Sequence, residues 1–129
     1  MPLKKKHSHL ASDPHGNASQ LALMQGFINH TDQFQGVVDG FKHLSDINRV
    51  RIFWLMCHAE LCTACIAELM DMSSPAVAHH VKLLRESGLI EGRREGKEVR
   101  YRAVNSVQAR TLHEAIERML AINCPASSI

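Results

Sequence analysis

Four cysteines and nine histidines are the side chains in this 129-residue chain with the most chemistry to offer. Cys62 and Cys65 stand in a Cys-x-x-Cys spacing, and two thiolates one helical turn apart converge on a single soft or borderline metal ion. They fall at the start of a helix read over residues 63–70, where the free N–H groups lower a thiol's pKa and favour the thiolate. One such pair is a weak signal alone, because two small apolar side chains in a helix share the spacing. Cys57, beside Trp54, reads as core, and Cys124, after the last helix, reads as exposed. His113 and Glu117 lie one turn apart and could serve as a fallback metal pair, though a surface hydrogen bond is the favoured reading. The other chemistry is cationic. Between Lys82 and Arg102 there are seven Lys or Arg against four Glu, with a second cluster at Lys4, Lys5 and Lys6.

The elements that position these groups follow from composition and period. A chain that is 45% hydrophobic and 22% charged, with a formal net charge of +2, has the make-up of one soluble domain with a real core. The net charge alone does not predict a nucleic-acid partner; its distribution carries more. The longest apolar run, residues 52–57, is far short of the ~20 residues of a membrane span. Lys4 to Lys6 are followed by His7, Ser8 and His9 rather than an apolar stretch, so no signal peptide is read and the expected compartment is the cytoplasm. Reduced thiols are then expected rather than a disulfide framework.

Residues 1–17 lack a usable apolar pattern and read as an N-terminal arm; the domain is read over 18–123 and a tail over 124–129. Leu21, Met24, Phe27 and Ile28 recur at helical spacing, and a second helix over 31–44 carries Phe34, Val37, Val38, Phe41 and Leu44 on one stripe. Ser45-Asp46 starts a third helix to about residue 58, with Ile47, Val50, Phe53, Trp54 and Cys57 inward. A short helix over 63–70 precedes Ser73-Ser74-Pro75, a capping start for a helix running to Glu86 and stopped by Gly88. Two strands, 89–91 and 98–104, flank a polar loop over 92–97. A last helix over 107–122 turns Leu112, Ala115, Ile116 and Met119 to one side. This order predicts a mainly α winged helix-turn-helix fold with a small β-hairpin.

In a helix-turn-helix, the second helix of the pair can enter a DNA major groove. At 100° per residue, Val77, Val81 and Leu84 share the inward face of residues 74–86, while Ser74, Ala78, His79, Lys82 and Arg85 share the other. Ser74, His79 and Lys82 are therefore candidates for base-edge or phosphate contact. Arg85 stays open between DNA contact and a solvated helix end, and His80, at the apolar edge, reads as a packed, hydrogen-bonded scaffold residue. Arg93, Arg94 and Lys97 are read on the hairpin tip, suited to phosphate or minor-groove contact. Arg100 and Arg102 read as supports of the strand's exposed face. A thiol hydrolase is the competing class, but no Gly-rich nucleophile turn or oxyanion-hole segment is legible, so no enzyme is expected.

Residues 41–46 (Phe-Lys-His-Leu-Ser-Asp) with Arg49, then Glu60-Leu61-Cys62, residues 73–84, Gly88-Leu89-Ile90 and residues 96–101 together resemble the ArsR/SmtB repressors over about residues 34 to 120. The resemblance implies homodimeric winged-helix proteins that bind double-stranded operator DNA and release it on sensing a metal ion, metalloid or oxidant; no cofactor is needed for DNA binding itself. Ala78 departs from the family, which often has a serine there, and leaves operator sequence open. One class of the family places metal ligands at the positions of Cys62 and Cys65 (Cys and Asp), completed from the partner's N-terminal arm, where this chain offers His7, His9 and His15. A Cys2His2 set would suit zinc, while cadmium, lead or arsenite would favour more sulfur. The extra cysteine of many arsenite and cadmium sensors is replaced by Ala64. The family's other site, on the last helix, falls at Asn105, Val107, Arg118 and Ala121, none of which restores its ligands. Thiol-based sensing of oxidants or reactive sulfur through Cys62, Cys65 and Cys124 is the alternative.

Overall fold

The computed structural model describes residues 18–121. Two compact units divide the chain, Met1–Val37 and Val38–Ile129. Helix α1 (Ala18–Ile28) buries none of its side chains. Helix α2 (Thr31–His43) ends one residue before Leu44, and its apolar stripe is largely uncovered, with Phe34, Val37, Val38 and Phe41 49–64% exposed.

Helix α3 (Ile47–His58) begins where the sequence asks it to, because the Asp46 carboxylate accepts a 2.9 Å hydrogen bond from the Arg49 backbone N–H. Arg49 in turn donates to the carbonyl of His43 at 3.2 Å, tying the approach to this helix. The buried face of α3 is Ile52, Phe53, Met56 and Cys57. Phe53 and Cys57 of the expected stripe belong to it, but Ile47, Val50 and Trp54 do not. Ile47 is 73% exposed, and with the half-buried Val50 and Trp54 it lines an open apolar groove instead of the core. A helix that packs on one side against the helices of residues 63–70 and 74–86 need bury only one stripe, and Ile52 and Met56 provide the second half of it.

Strand β1 (Leu61–Cys62) leads directly into α4 (Thr63–Met70), which ends on Asp71 in the left-handed region (φ 53°). Helix α5 (Ser74–Glu86) follows after three residues. Its start carries the signals read from sequence: Ser73 Oγ accepts from the Ala76 N–H at 3.3 Å and Pro75 sits in the first turn. Gly88 at φ +79° then turns the chain into the sheet, a conformation that favours glycine.

The sheet has three antiparallel strands, not two, with the strand of residues 98–103 between β1 and the strand of residues 90–95. Strands β2 (Ile90–Glu95) and β3 (Glu98–Ala103) pair along their whole length, from Ile90 opposite Ala103 to Glu95 opposite Glu98. The connection is only Gly96-Lys97, with Gly96 at φ +64°. The expected six-residue polar loop is therefore mostly strand. Arg93 and Arg94 belong to the ladder, and Lys97 alone of the three basic residues occupies the tip. The backbone of Arg93 and Arg94 gains ladder hydrogen bonds, which outweigh the polar composition.

Helix α6 (Val107–Leu120) is capped by Ser106, whose Oγ accepts from the Ala109 N–H at 3.1 Å. Its buried residues are Ala109 and His113, with Leu112 and Ile116 packed beside them. Met119, expected inward, is 86% exposed. The core of the second unit is one cluster, with Phe53, Ile52, Met56, Ile66, Val77, Leu84 and Leu89 at its centre. Each such side chain contributes about 1.5–3 kcal/mol on burial, and together they clamp one side of α5 in place.

Candidate nucleic-acid interface and thiol pair

The rigid part of the interface is α5. Val77, Val81 and Leu84 are 0–3% exposed, and Ser74, Ala78, His79, Lys82 and Arg85 all stand on the solvent side. His80 lies between the two faces. Its Nε2 is 3.8 Å from Asp46 Oδ2, and its Nδ1 is buried without a hydrogen-bond partner among the described residues. It is packed as expected, but its one polar approach is longer than a good hydrogen bond. Burial pushes its pKa below the ordinary imidazole value; Asp46 opposes the shift, while Arg49 and His79 add to it.

The wing sorts its cations into two groups. The guanidinium of Arg93 holds the Glu60 carboxylate at 2.8 Å and Glu95 at 3.2 Å. Arg100 donates to the Glu60 carbonyl at 2.8 Å, and Arg102 to Glu91 at 2.9 Å across the ladder. Arg85 lies 5.8 Å from the centre of the Tyr101 ring, at the range of a cation–π contact, so it links the end of α5 to β3. Lys82, Arg94 and Lys97 are exposed and make no ion pair among the described residues. Seven basic side chains in sequence thus reduce to a smaller set whose charge is not already answered by a neighbouring carboxylate.

Cys62 and Cys65 come together at the start of α4. Their sulfurs are 3.3 Å apart, and Cys62 Sγ also accepts from the Cys65 backbone N–H at 3.4 Å, acting as the helix cap. That backbone hydrogen bond, followed by the one from the Cys65 side chain, lowers the Cys62 pKa. The Cys65 pKa is raised, chiefly because its thiol proton is shared with Cys62. Cys62 is therefore the more acidic thiol of the pair, and Cys65 the more exposed. Two sulfurs on one tetrahedral zinc at about 2.3 Å stand about 3.8 Å apart, so a small side-chain rotation opens the pair enough for a thiophilic ion. Cys57 is buried, as read. His7, His9, His15 and Cys124 lie outside the described residues.

The sequence reading paired His113 with Glu117 but missed the third member of the group, His58, and the burial of His113. His113 is not a surface residue: it is 8% exposed, and its Nε2 lies 3.2 Å from His58 Nε2 and 3.6 Å from Glu117 Oε1. The 55 residues separating His58 from His113 leave no local motif by which to find the pair.

A short helix pair with its second polar face exposed, followed by a hairpin and a capping helix, defines a winged helix-turn-helix domain. Residues 46–91 match the ArsR family of bacterial regulatory proteins. The chain is 32% identical over 92 residues to a Synechocystis protein described as a transcriptional repressor SmtB homolog, covering 71% of this chain and 70% of that one. It is 43% identical over 63 residues to the arsenical resistance operon repressor of Escherichia coli K12, covering 48% of this chain and 54% of that protein. The solved homodimeric winged helix-turn-helix DNA-binding domain from Mycobacterium bovis is similar at a TM-score of 0.60 and 26% identity, over 70% of this chain and 82% of that one. The chain belongs to the ArsR family. The family and these relatives are transcriptional regulators, not enzymes.

Proposed function

We propose that this protein is a homodimeric repressor that binds double-stranded operator DNA and releases it when Cys62 and Cys65 take up a thiophilic metal ion or metalloid. The observation that carries the reading is the two-sidedness of α5: Val77, Val81 and Leu84 are locked into the core while Ser74, His79 and Lys82 face solvent. Ser74, His79 and Lys82 serve as base-edge and phosphate contacts, and Arg94 and Lys97 reach phosphates from the wing. Arg85 and Arg93, held by Tyr101 and by Glu60 and Glu95, orient the interface and touch DNA only by exchanging those partners. The second copy covers exposed apolar side chains of α1, α2 and α6, Met119 among them. Residues 1–17 form the arm, 18–123 the body and 124–129 the tail. Its place is the cytoplasm with its DNA; no helix among the described residues is long and apolar enough to cross a membrane.

The thiol pair is well placed for coupling. Cys62 lies in β1, opposite Arg100 of β3, and Cys65 lies in α4, the first helix of the DNA-binding pair. Ligation that draws the two side chains onto one centre pulls on the wing and on the helix pair at once. His7, His9 and His15 of the arm complete the ligand set, in a Cys2His2 arrangement for zinc or a sulfur-richer one for cadmium, lead or arsenite. A coupling of about 1–3 kcal/mol loosens operator binding by about 5–150-fold. The test is duplex DNA selected from a random-sequence library, bound to reduced protein and titrated with zinc, cadmium, lead and arsenite. Release by one of them that disappears in Cys62→Ser and Cys65→Ser supports the reading; a response unchanged in both variants refutes it.

The 3.3 Å approach of the two sulfurs also favours a second reading, sensing of a peroxide-class oxidant. The Cys62 thiolate would attack the peroxide, forming a sulfenic acid and releasing hydroxide, and Cys65 would then displace water to close a disulfide. Release by peroxide in metal-free protein, reversed by dithiothreitol, distinguishes it.

A further inference from the structure

We infer that His58, His113 and Glu117 form a second divalent-cation site within one protomer, separate from the thiol pair and of the nitrogen–oxygen type that takes zinc, cobalt or nickel. His58 ends α3, and His113 and Glu117 lie one turn apart on α6. The three side chains each bring one ligand atom within 4.8 Å of the other two. The two edges that meet at His113 are close to those of a tetrahedral centre. Two imidazole nitrogens bound to one zinc at 2.0–2.1 Å stand about 3.3 Å apart, and the two Nε2 atoms here are 3.2 Å apart, with Glu117 Oε1 3.6 Å from His113 Nε2.

The surroundings are those of a built site. The Trp54 indole N–H donates to Glu117 Oε2 at 2.7 Å, which fixes the carboxylate and leaves Oε1 turned toward the histidine. Outer hydrogen bonds of this kind orient metal ligands and tune their affinity. The Trp54 ring also lies against His58, with centroids 4.4 Å apart, while the two imidazoles meet edge to face. The side chains of His113 and Glu117 are only 10% and 13% exposed, so they are kept from bulk water. His58 lines an open cleft of about 590 Å³ with Met56, Glu60, Asn105 and Arg110, which offers an ion a route in. Three protein ligands leave a fourth position for water or another donor.

Such an ion would cross-link the end of α3 to α6. Its chemistry differs from that of the thiol pair: imidazole and carboxylate suit zinc, cobalt and nickel, whereas paired thiolates draw softer ions. The competing account is a hydrogen-bonded histidine pair, braced by Glu117, that binds nothing.

Trp54 is the chain's single tryptophan and touches both Glu117 and His58, so its emission responds to an ion held there. The experiment is a titration of the full-length Cys62→Ser/Cys65→Ser protein with Co²⁺. The expected result is saturable quenching at one equivalent per chain, reversed by Zn²⁺ and accompanied by cobalt d–d bands without thiolate charge-transfer absorption. His113→Asn on the same background weakens the quenching at least about tenfold. Glu117→Gln, which keeps an oxygen for the Trp54 N–H, does the same and serves as the second test where His113→Asn fails to melt cooperatively. Emission that ignores Co²⁺, or quenching with unchanged affinity in the folded variants, overturns the inference and leaves the histidine pair as structural.

Discussion

Lys97→Ala is the sharpest perturbation of the wing, because Lys97 is the only basic residue in the two-residue turn and makes no ion pair among the described residues. In a symmetric dimer on one duplex the substitution removes two phosphate contacts. Each released counterion contributes about 0.9 to the slope of log K against log salt, so the slope becomes shallower by about 1.8. At about 0.15 M salt the same two contacts are worth about 1.5 decades, or about 30-fold in affinity. Arg93→Ala provides the contrast, since that guanidinium already holds Glu60 and Glu95 and should change the slope by less than about 0.5. Fluorescence anisotropy of a labelled duplex between about 50 and 200 mM salt reads both variants. A slope unchanged by Lys97→Ala, or changed equally by Arg93→Ala, refutes the division of the wing into free and occupied cations.

Three other outcomes follow from local geometry. Gly92→Ala places a Cβ 3.0 Å from both Tyr101 Cε1 and Val99 Cγ1, so it should cost about 1–3 kcal/mol and loosen the wing, read as a lower urea midpoint together with weaker DNA binding. Ser106→Ala removes the cap of α6 and should cost about 1 kcal/mol in urea denaturation, with DNA contacts untouched; a change below the error of that measurement contradicts the cap's role. His80 has a folded pKa lowered by burial, so below its unfolded value of about 6.5 the unfolded chain binds the proton more readily. Its contribution to stability is intact above that value and is lost as pH falls toward the lowered one. His80→Gln should accordingly flatten the fall in urea midpoint between pH 7.5 and 5.5, and an undiminished fall would show that other groups carry it.

Local signals in the chain were enough to place most of the fold. Asp46 and Ser73 cap their helices, and Gly88 ends α5, because capping and left-handed turns depend on a few adjacent residues. The inward face of α5 was legible for the same reason: thirteen residues at a fixed period leave one consistent stripe. What periodicity missed depends on long-range pairing. The two residues of β1 become a strand only by meeting β3 some forty positions later, and Arg93 and Arg94 become ladder residues through the same sheet. Ile47 and Met119 carry apolar side chains at plausible spacing yet stay outside, since only the partner elements decide which stripe is covered. The chemistry followed the same rule. Cys62 and Cys65 declared themselves by spacing, whereas His58 and His113 meet only when α3 and α6 pack.

The central claim is that the polar side of α5 enters the major groove of duplex DNA as one of a symmetric pair. Guanine-N7 methylation protection on a library-selected duplex tests it most directly. The account predicts two protected major-groove patches, about 10–10.5 base pairs apart centre to centre, both lost in His79→Ala/Lys82→Ala while the protein stays folded. Protection confined to the minor groove, or two patches that survive that double substitution, would contradict it.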